Sequence, residues 1–170
     1  MNKLDVFFKD NKIDKDELMN ALYLDIREII LKAVINKMKT EKDYFLNAKR
    51  YYFTYDNNNA AKKIIKSVCD LTIGSDDLQW FDACFKAFFN KKDKRAPISP
   101  DTKLKIITDQ NSKCAICGAD ISIETMHVDH IIPWDYVGDE LHGNLQGLCR
   151  ECNLHKSNHV AQAVSSIILK

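Results

Sequence analysis

Glycine and proline are scarce in this chain, at five and three of 170 residues. So little backbone punctuation argues against a disordered chain, and 45% hydrophobic residues suffice for a packed core. The sequence has no internal repeat and no low-complexity tract. It also lacks an apolar run long enough to span a bilayer, and Met1-Asn2-Lys3-Leu4-Asp5 begins no signal peptide. A cytoplasmic protein with no membrane partner is therefore expected. The length allows one large or two small domains.

A strong net charge is absent too, but the formal +1 hides an asymmetry. Residues 1–96 hold 19 Lys and Arg against 15 Asp and Glu, a formal +4. Residues 97–170 hold 6 against 9, a formal −3. The second part would draw little affinity for a polyanion from its own charge. The run Asn90-Lys91-Lys92-Asp93-Lys94-Arg95-Ala96-Pro97 breaks the apolar pattern. It reads as a solvated linker that divides a helical domain, 1–95, from a second domain, 96–170.

The first domain reads as a helical bundle. Asp14 with Glu17 resembles a capping box, followed by Leu18, Leu22, Ile26, Ile29, Ile30, Ala33, Val34 and Met38 at three- and four-residue steps. Thr40 is expected to cap a second helix, and Asn57-Asn58-Asn59 to form a turn before a third that stops at Gly74. Ser75, Asp76 and Asp77 open a fourth. The aromatics Tyr44, Phe45, Tyr51, Tyr52, Phe53 and Tyr55 have helical spacing and read as core rather than as a stacking platform for bases. Cys69 and Cys84, among apolar neighbours, read as core thiols.

The second domain opens with Ser99-Pro100-Asp101, a cap with proline at the first helical position. Residues 119–123 and 125–131 read as a two-stranded hairpin, and a final helix starts near Cys149 or Cys152. Two CxxC pairs, Cys114/Cys117 and Cys149/Cys152, stand 31 residues apart. In a reducing compartment such pairs read as metal ligands, and four thiolates suit one structural Zn²⁺. Between and after them lie Asp129-His130 and Asn153. An imidazole is suited to take a proton from water near neutral pH, and a hard divalent ion held by carboxylate and amide oxygens can stabilise phosphate.

The pieces Cys114-Ala-Ile-Cys117-Gly118, Val128-Asp129-His130-Ile-Ile-Pro133-Trp134, Gly143-Asn144-Leu145-Gln146-Gly-Leu148-Cys149 and Cys152-Asn153-Leu-His-Lys156-Ser157 resemble the HNH family of ββα-metal nucleases. The resemblance covers about residues 99–157; the N-terminal half resembles no recognised family. It implies an α+β, mostly α fold: a helical bundle followed by a zinc-stapled ββα-metal domain. It further implies a metal-dependent endonuclease acting on DNA before RNA and leaving 5′-phosphate and 3′-hydroxyl ends.

In that reading His130 is the general base, and Asp129 and Asn153 hold a catalytic Mg²⁺ or Mn²⁺, other divalent ions remaining open. Asn144 orders the loop that carries the histidine, and Lys156 faces the phosphate. His155 is the alternative to Asn153, since residues two apart on a helix point in nearly opposite directions. His127, His142 and His159 read as residues without a role. Residues 1–95 would dock substrate or a protein partner. Restriction or phage defence is one expected setting, and the sequence does not separate it from mobile elements or repair. The reading from a different class is a noncatalytic zinc module serving as an adaptor.

Overall fold

A computed structural model of the protein describes residues 3–55, 57–156 and 163–168. These residues form mostly helix with one two-stranded antiparallel sheet, the expected α+β, mostly α class. In chain order the elements are α1 (Lys3–Asp10), α2 (Lys15–Thr40), α3 (Lys42–Thr54), α4 (Asn57–Cys69), α5 (Ser75–Asn90), α6 (Pro100–Asp109), β1 (His127–His130), α7 (Trp134–Val137), β2 (Leu145–Leu148), α8 (Arg150–Lys156) and α9 (Ala163–Ile168). No helix among the described residues is long and apolar enough to cross a membrane.

The chain folds into two compact units, each assembled from separated segments. One comprises residues 1–28, 98–129 and 145–170; the other comprises 29–97 and 130–144. The segment carrying His130 and Asn144 therefore packs with the helices of 29–97.

In the first unit, Asp14 Oδ1 accepts from the backbone N–H of Asp16 at 2.8 Å and of Glu17 at 2.9 Å. These are two of the four donors a helix start leaves unsatisfied, so α2 begins where its capping residue predicts. Farther along α2, the carboxylate of Asp25 performs the same service for a different helix. It accepts from Ala163 N–H at 2.8 Å and Val164 N–H at 3.0 Å, at the start of α9. Ser99 caps α6 as expected, its hydroxyl accepting from Thr102 N–H at 3.1 Å.

The core of this unit is formed by Ile106, Ile107, Cys114, Ile121, Met126 and Leu148. Gln110, at the end of α6, ties that helix to β2. Its side chain accepts from Gly147 N–H at 2.7 Å and donates to Gly147 O at 2.9 Å. A Cβ at Gly147 would lie 2.5 Å from Met126 Sδ and 3.3 Å from Ile106 Cγ2, so β2 reaches α6 only as glycine.

The sheet differs from the expected hairpin. Residues 119–123 form only the isolated bridge Lys113–Asp120, and Ser122 and Thr125 hold a turn through mutual hydrogen bonds. β1 pairs instead with β2, beyond a 14-residue connection. The expected final helix is described in two stretches. α8 ends at Lys156 and α9 begins at Ala163; Ser157 and His159 lie outside the described residues.

In the second unit, α3, α4 and α5 pack around Tyr52, Ile65, Phe81, Phe85 and Cys84, all nearly devoid of solvent contact. From α2 they receive Leu31, Val34, Ile35 and Met38. Several helix boundaries depart from those expected. Thr40 does not cap α3: its hydroxyl donates back to Asn36 O at 3.0 Å, so it closes α2, and Glu41 alone separates the helices. Asn57-Asn58-Asn59 is the first turn of α4 rather than a turn before it. That helix stops at Asp70, in the left-handed region with φ 51°, four residues before Gly74. Asp70 compensates by pairing with Lys66 at 2.9 Å.

Of the expected apolar face of α2, Leu22, Ile26 and Ile29 are exposed. The aromatic group divides as well: Tyr52 is core, whereas Phe53 and Tyr55 are more than half exposed. Cys84 is fully buried, and burial pushes the thiol of half-buried Cys69 upward in pKa.

Candidate functional site

The four cysteines of the CxxC pairs come together within the first unit, their sulfurs all within 4.8 Å of one another. Local sequence explains the first knuckle. Gly118, at φ 71°, reverses the chain and donates its N–H to Cys114 O at 3.0 Å, while Cys114 N–H bonds Ala119 O at 2.8 Å. The second pair sits where β2 runs into α8, and Cys152 N–H points at Cys149 Sγ at 3.4 Å. Zinc–sulfur bonds of about 2.3 Å in a tetrahedron set the sulfurs about 3.8 Å apart. Cys117 and Cys149 are 3.8 Å apart, and all four thiols are free of disulfides.

Their electrostatics are those of a crowded thiol set. Burial raises the Cys114 thiol, but N–H groups of Cys117, Cys149 and Ile116 outweigh it and bring the pKa down to about 7. Cys152 moves strongly the other way, through burial and through the sulfurs of Cys117, Cys149 and Cys114. One sulfur thus ionises readily while Cys149 and Cys152 resist, a frustration that a bound dication would relieve. The four cysteines can hold a zinc ion.

β1 and α8 present the next group. Asp129 lies on β1, three-quarters buried, with Oδ2 2.8 Å from Nζ of Lys156 on α8. The ammonium is near enough for an ion pair, though it is off hydrogen-bond alignment with this buried oxygen. Lys156 is itself only 5% exposed. A lysine expected at phosphate thus lies against the carboxylate expected at metal. Asn153 is half-buried one turn before Lys156 on the same helix, and residues three apart share a face. His155 is exposed.

His130 and Asn144 belong to the second unit. Asn144 is buried and bonds both backbone groups of Ile132: Oδ1 accepts its N–H at 2.7 Å and Nδ2 donates to its carbonyl at 2.9 Å. Its own carbonyl accepts Ile131 N–H at 2.9 Å. These three bonds fix the chain directly after His130. The His130 ring is 10% exposed and its Nε2 lies 3.1 Å from Oδ1 of Asp139.

Asp139, the partner of His130, is a residue that sequence reasoning did not single out. Its second oxygen accepts from Trp134 Nε1 at 3.0 Å and from Ala96 N–H at 2.8 Å. Partial burial works against ionisation, yet the donors Ala96, Trp134 and His130 together hold its pKa below the usual carboxylate value. Trp134 in turn lies under Lys91 Nζ, 4.0 Å from the ring centre, and under the Arg95 guanidinium at 5.2 Å. Two of the basic linker residues are therefore engaged with the indole beside Asp139. Only Gly138 in left-handed geometry, φ 65°, precedes Asp139, where a Cβ would strike Glu140 and Lys91. A single aspartate in a polar loop carries no spacing signal, so its partner could be seen only in three dimensions. His127 and His142 are exposed.

No curated protein and no solved structure matches this chain. A family model does: residues 114–168, from the first zinc-type cysteine to the end of α9, match the HNH endonuclease family, to which this C-terminal segment of the chain is similar.

Proposed function

We propose that the protein is a metal-dependent HNH endonuclease that hydrolyses phosphodiester bonds of DNA, with the four-cysteine cluster holding a structural zinc. The observation that carries this reading is the pair of adjacent residues with opposite tasks. Asp129 offers a largely buried carboxylate paired with the Lys156 ammonium, and the next residue, His130, has one ring nitrogen fixed by a carboxylate. A zinc module used only for binding has no need of either.

The roles of the two ring nitrogens follow from Asp139. Held ionised, its carboxylate can only accept, so Nε2 of His130 carries the hydrogen and Nδ1 of the neutral ring is the basic nitrogen. Nδ1 takes the proton of the attacking water, and Asp139 then stabilises the imidazolium. Asn144 keeps the ring in place by fixing the backbone at Ile132.

Oxygen donors on Asp129 and Asn153 suit a hard ion such as Mg²⁺ or Mn²⁺. When bound, such an ion supplies Lewis-acid stabilisation of the phosphate and of the departing 3′ oxygen. Lys156, buried against Asp129, could turn to a phosphate oxygen if such an ion engaged that carboxylate. The Lys156–Asp129 pair also favours a second reading, in which the lysine permanently takes the place of the ion and the protein is a noncatalytic adaptor.

We assign residues 1–95 to docking of substrate or of a protein partner. Exposed Met19, Leu22, Tyr23 and Ile26 on α2 support a partner, and Lys92 and Lys94, exposed in the linker, support nucleic acid. Nicking of supercoiled plasmid by the full chain with added Mg²⁺ or Mn²⁺ tests the main reading. Cleavage lost in His130→Ala at unchanged zinc content and melting supports it, whereas no cleavage by the parent under any divalent ion leaves the adaptor.

A further inference from the structure

The surface between α3 and α4, wholly within the second unit, has a composition that neither core packing nor the site above explains. A groove of about 500 Å³ opens there, within the range of small-ligand sites. Its floor is Ala48 and Ile64, and one end is closed by Tyr44, whose hydroxyl bonds Ser67 Oγ at 2.7 Å. Toward the other end stand Tyr51 and Tyr55, one helical turn apart, with ring centres 4.5 Å apart and planes inclined at 33°. Lys63 reaches over the Tyr51 ring at 4.7 Å, and Arg50 completes the wall.

Three properties define what fits. Among the described residues, the charged groups lining the groove are the cations Arg50 and Lys63. The Tyr51 ring is engaged by Lys63 and Tyr55, but Tyr55 itself is 57% exposed, although Tyr52 is fully buried in the core. A second hollow of about 420 Å³ adjoins it, sharing Lys63 and Ser67 and adding Lys62 and Lys66, so the basic lining continues along α4. Flat rings flanked by a line of cations match an unpaired base with the phosphates on either side of it. A duplex, whose bases are stacked on one another, cannot offer its faces to these tyrosines.

We propose that the α3–α4 groove binds a single strand of nucleic acid, one base stacking on Tyr55, which Tyr51 backs, and the backbone following Arg50, Lys63 and Lys62. This deepens the nuclease reading and rests on it for the class of ligand. The groove supplies the affinity that an acidic C-terminal segment lacks, and it selects unpaired strands.

Fluorescence anisotropy of a labelled oligothymidylate with the full chain, without added magnesium or manganese, tests this directly. Replacing both Tyr51 and Tyr55 with alanine should weaken binding at least about tenfold, since each stacked base loses its platform. Tyr55→Phe should retain binding, because the ring and not the hydroxyl does the stacking. Arg50→Gln with Lys63→Gln should flatten the dependence of log affinity on log salt, by about 0.7 for each phosphate no longer neutralised.

Equal binding by parent and the double alanine variant, both with unchanged melting, overturns the proposal. So does preference for duplex over strand, or full competition by thymidine monophosphate at matched nucleotide concentration. Plasmid cleavage by a parent that binds no oligothymidylate rejects the groove and keeps the nuclease; strand binding without cleavage under any divalent ion does the reverse.

Discussion

In the proposed mechanism, Asp139 is the residue on which the chemistry of His130 turns. Replacing it with asparagine removes the negative charge and allows the ring to present either tautomer, so cleavage should fall on the order of tenfold or more while zinc content and melting stay unchanged. ¹⁵N spectra of the imidazole should show one tautomer in the parent and a mixture in Asp139→Asn; one tautomer in both would remove Asp139 from the argument. The sign of its pH effect follows from a depressed pKa. Its bonds to Trp134, Ala96 and His130 contribute fully above the ordinary carboxylate value and are lost as pH falls through the lower folded value. His130 itself should lose activity through the usual route, cleavage falling by about 10²–10⁴ on substitution by alanine. Asn144→Ala leaves both backbone groups of buried Ile132 unsatisfied, at about 1–3 kcal/mol each, and should lower melting as well as activity.

Among the elements, β2 and α8 carry the most. Gly147→Ala should destabilise the first unit by about 1–3 kcal/mol, because Met126 and Ile106 must move; a melting curve superposable on that of the parent would contradict the packing described. On α8, Asn153→Ala should raise the divalent-ion concentration needed for cleavage and be rescued in part by more ion. His155→Ala should not, since exposed His155 does not share the Lys156 face; loss of activity from His155→Ala alone would reverse that assignment.

What was legible at this scale was local. Asp14 and Ser99 announce their helices because a cap acts within three residues, and the CxxC turns carry their spacing in the sequence. The pairing of β1 with β2 across the loop 131–144 was not legible, because 119–123 offers an apolar segment closer in sequence. It is the Gln110 amide and the close approach at Gly147 that decide between them. The end of α4 at Asp70 was hidden for a related reason: a non-glycine residue takes the left-handed position and is held by Lys66.

For the whole molecule, the linker near residue 97 coincides with a change of unit, but the chain crosses between units again at 28–29, 129–130 and 144–145. Charge and helix patterns cannot foretell such crossings, which depend on the packing of α7 against α5 and of the 91–96 stretch on Trp134 and Asp139. A fragment of residues 97–170 therefore keeps the zinc ligands and loses the partners of the His130 loop. It should bind zinc yet cleave far less than the full chain; equal cleavage would show that the N-terminal helices are dispensable for the site. Zinc removal should act on the other unit. Structural zinc contributes on the order of 10 kcal/mol, so Cys149→Ser should abolish stoichiometric zinc and unfold β1, β2 and α8 while helices α3–α5 persist.

The central claim is that the Asp129–His130 pair performs metal-dependent hydrolysis of DNA. It is tested most directly by supercoiled-plasmid nicking with the parent and His130→Ala proteins, both carrying one zinc per chain, across a magnesium and manganese titration. The account predicts nicked and linear products that depend on the added ion, carry 5′-phosphate ends and vanish in His130→Ala. Cleavage at equal rates by both proteins would contradict it.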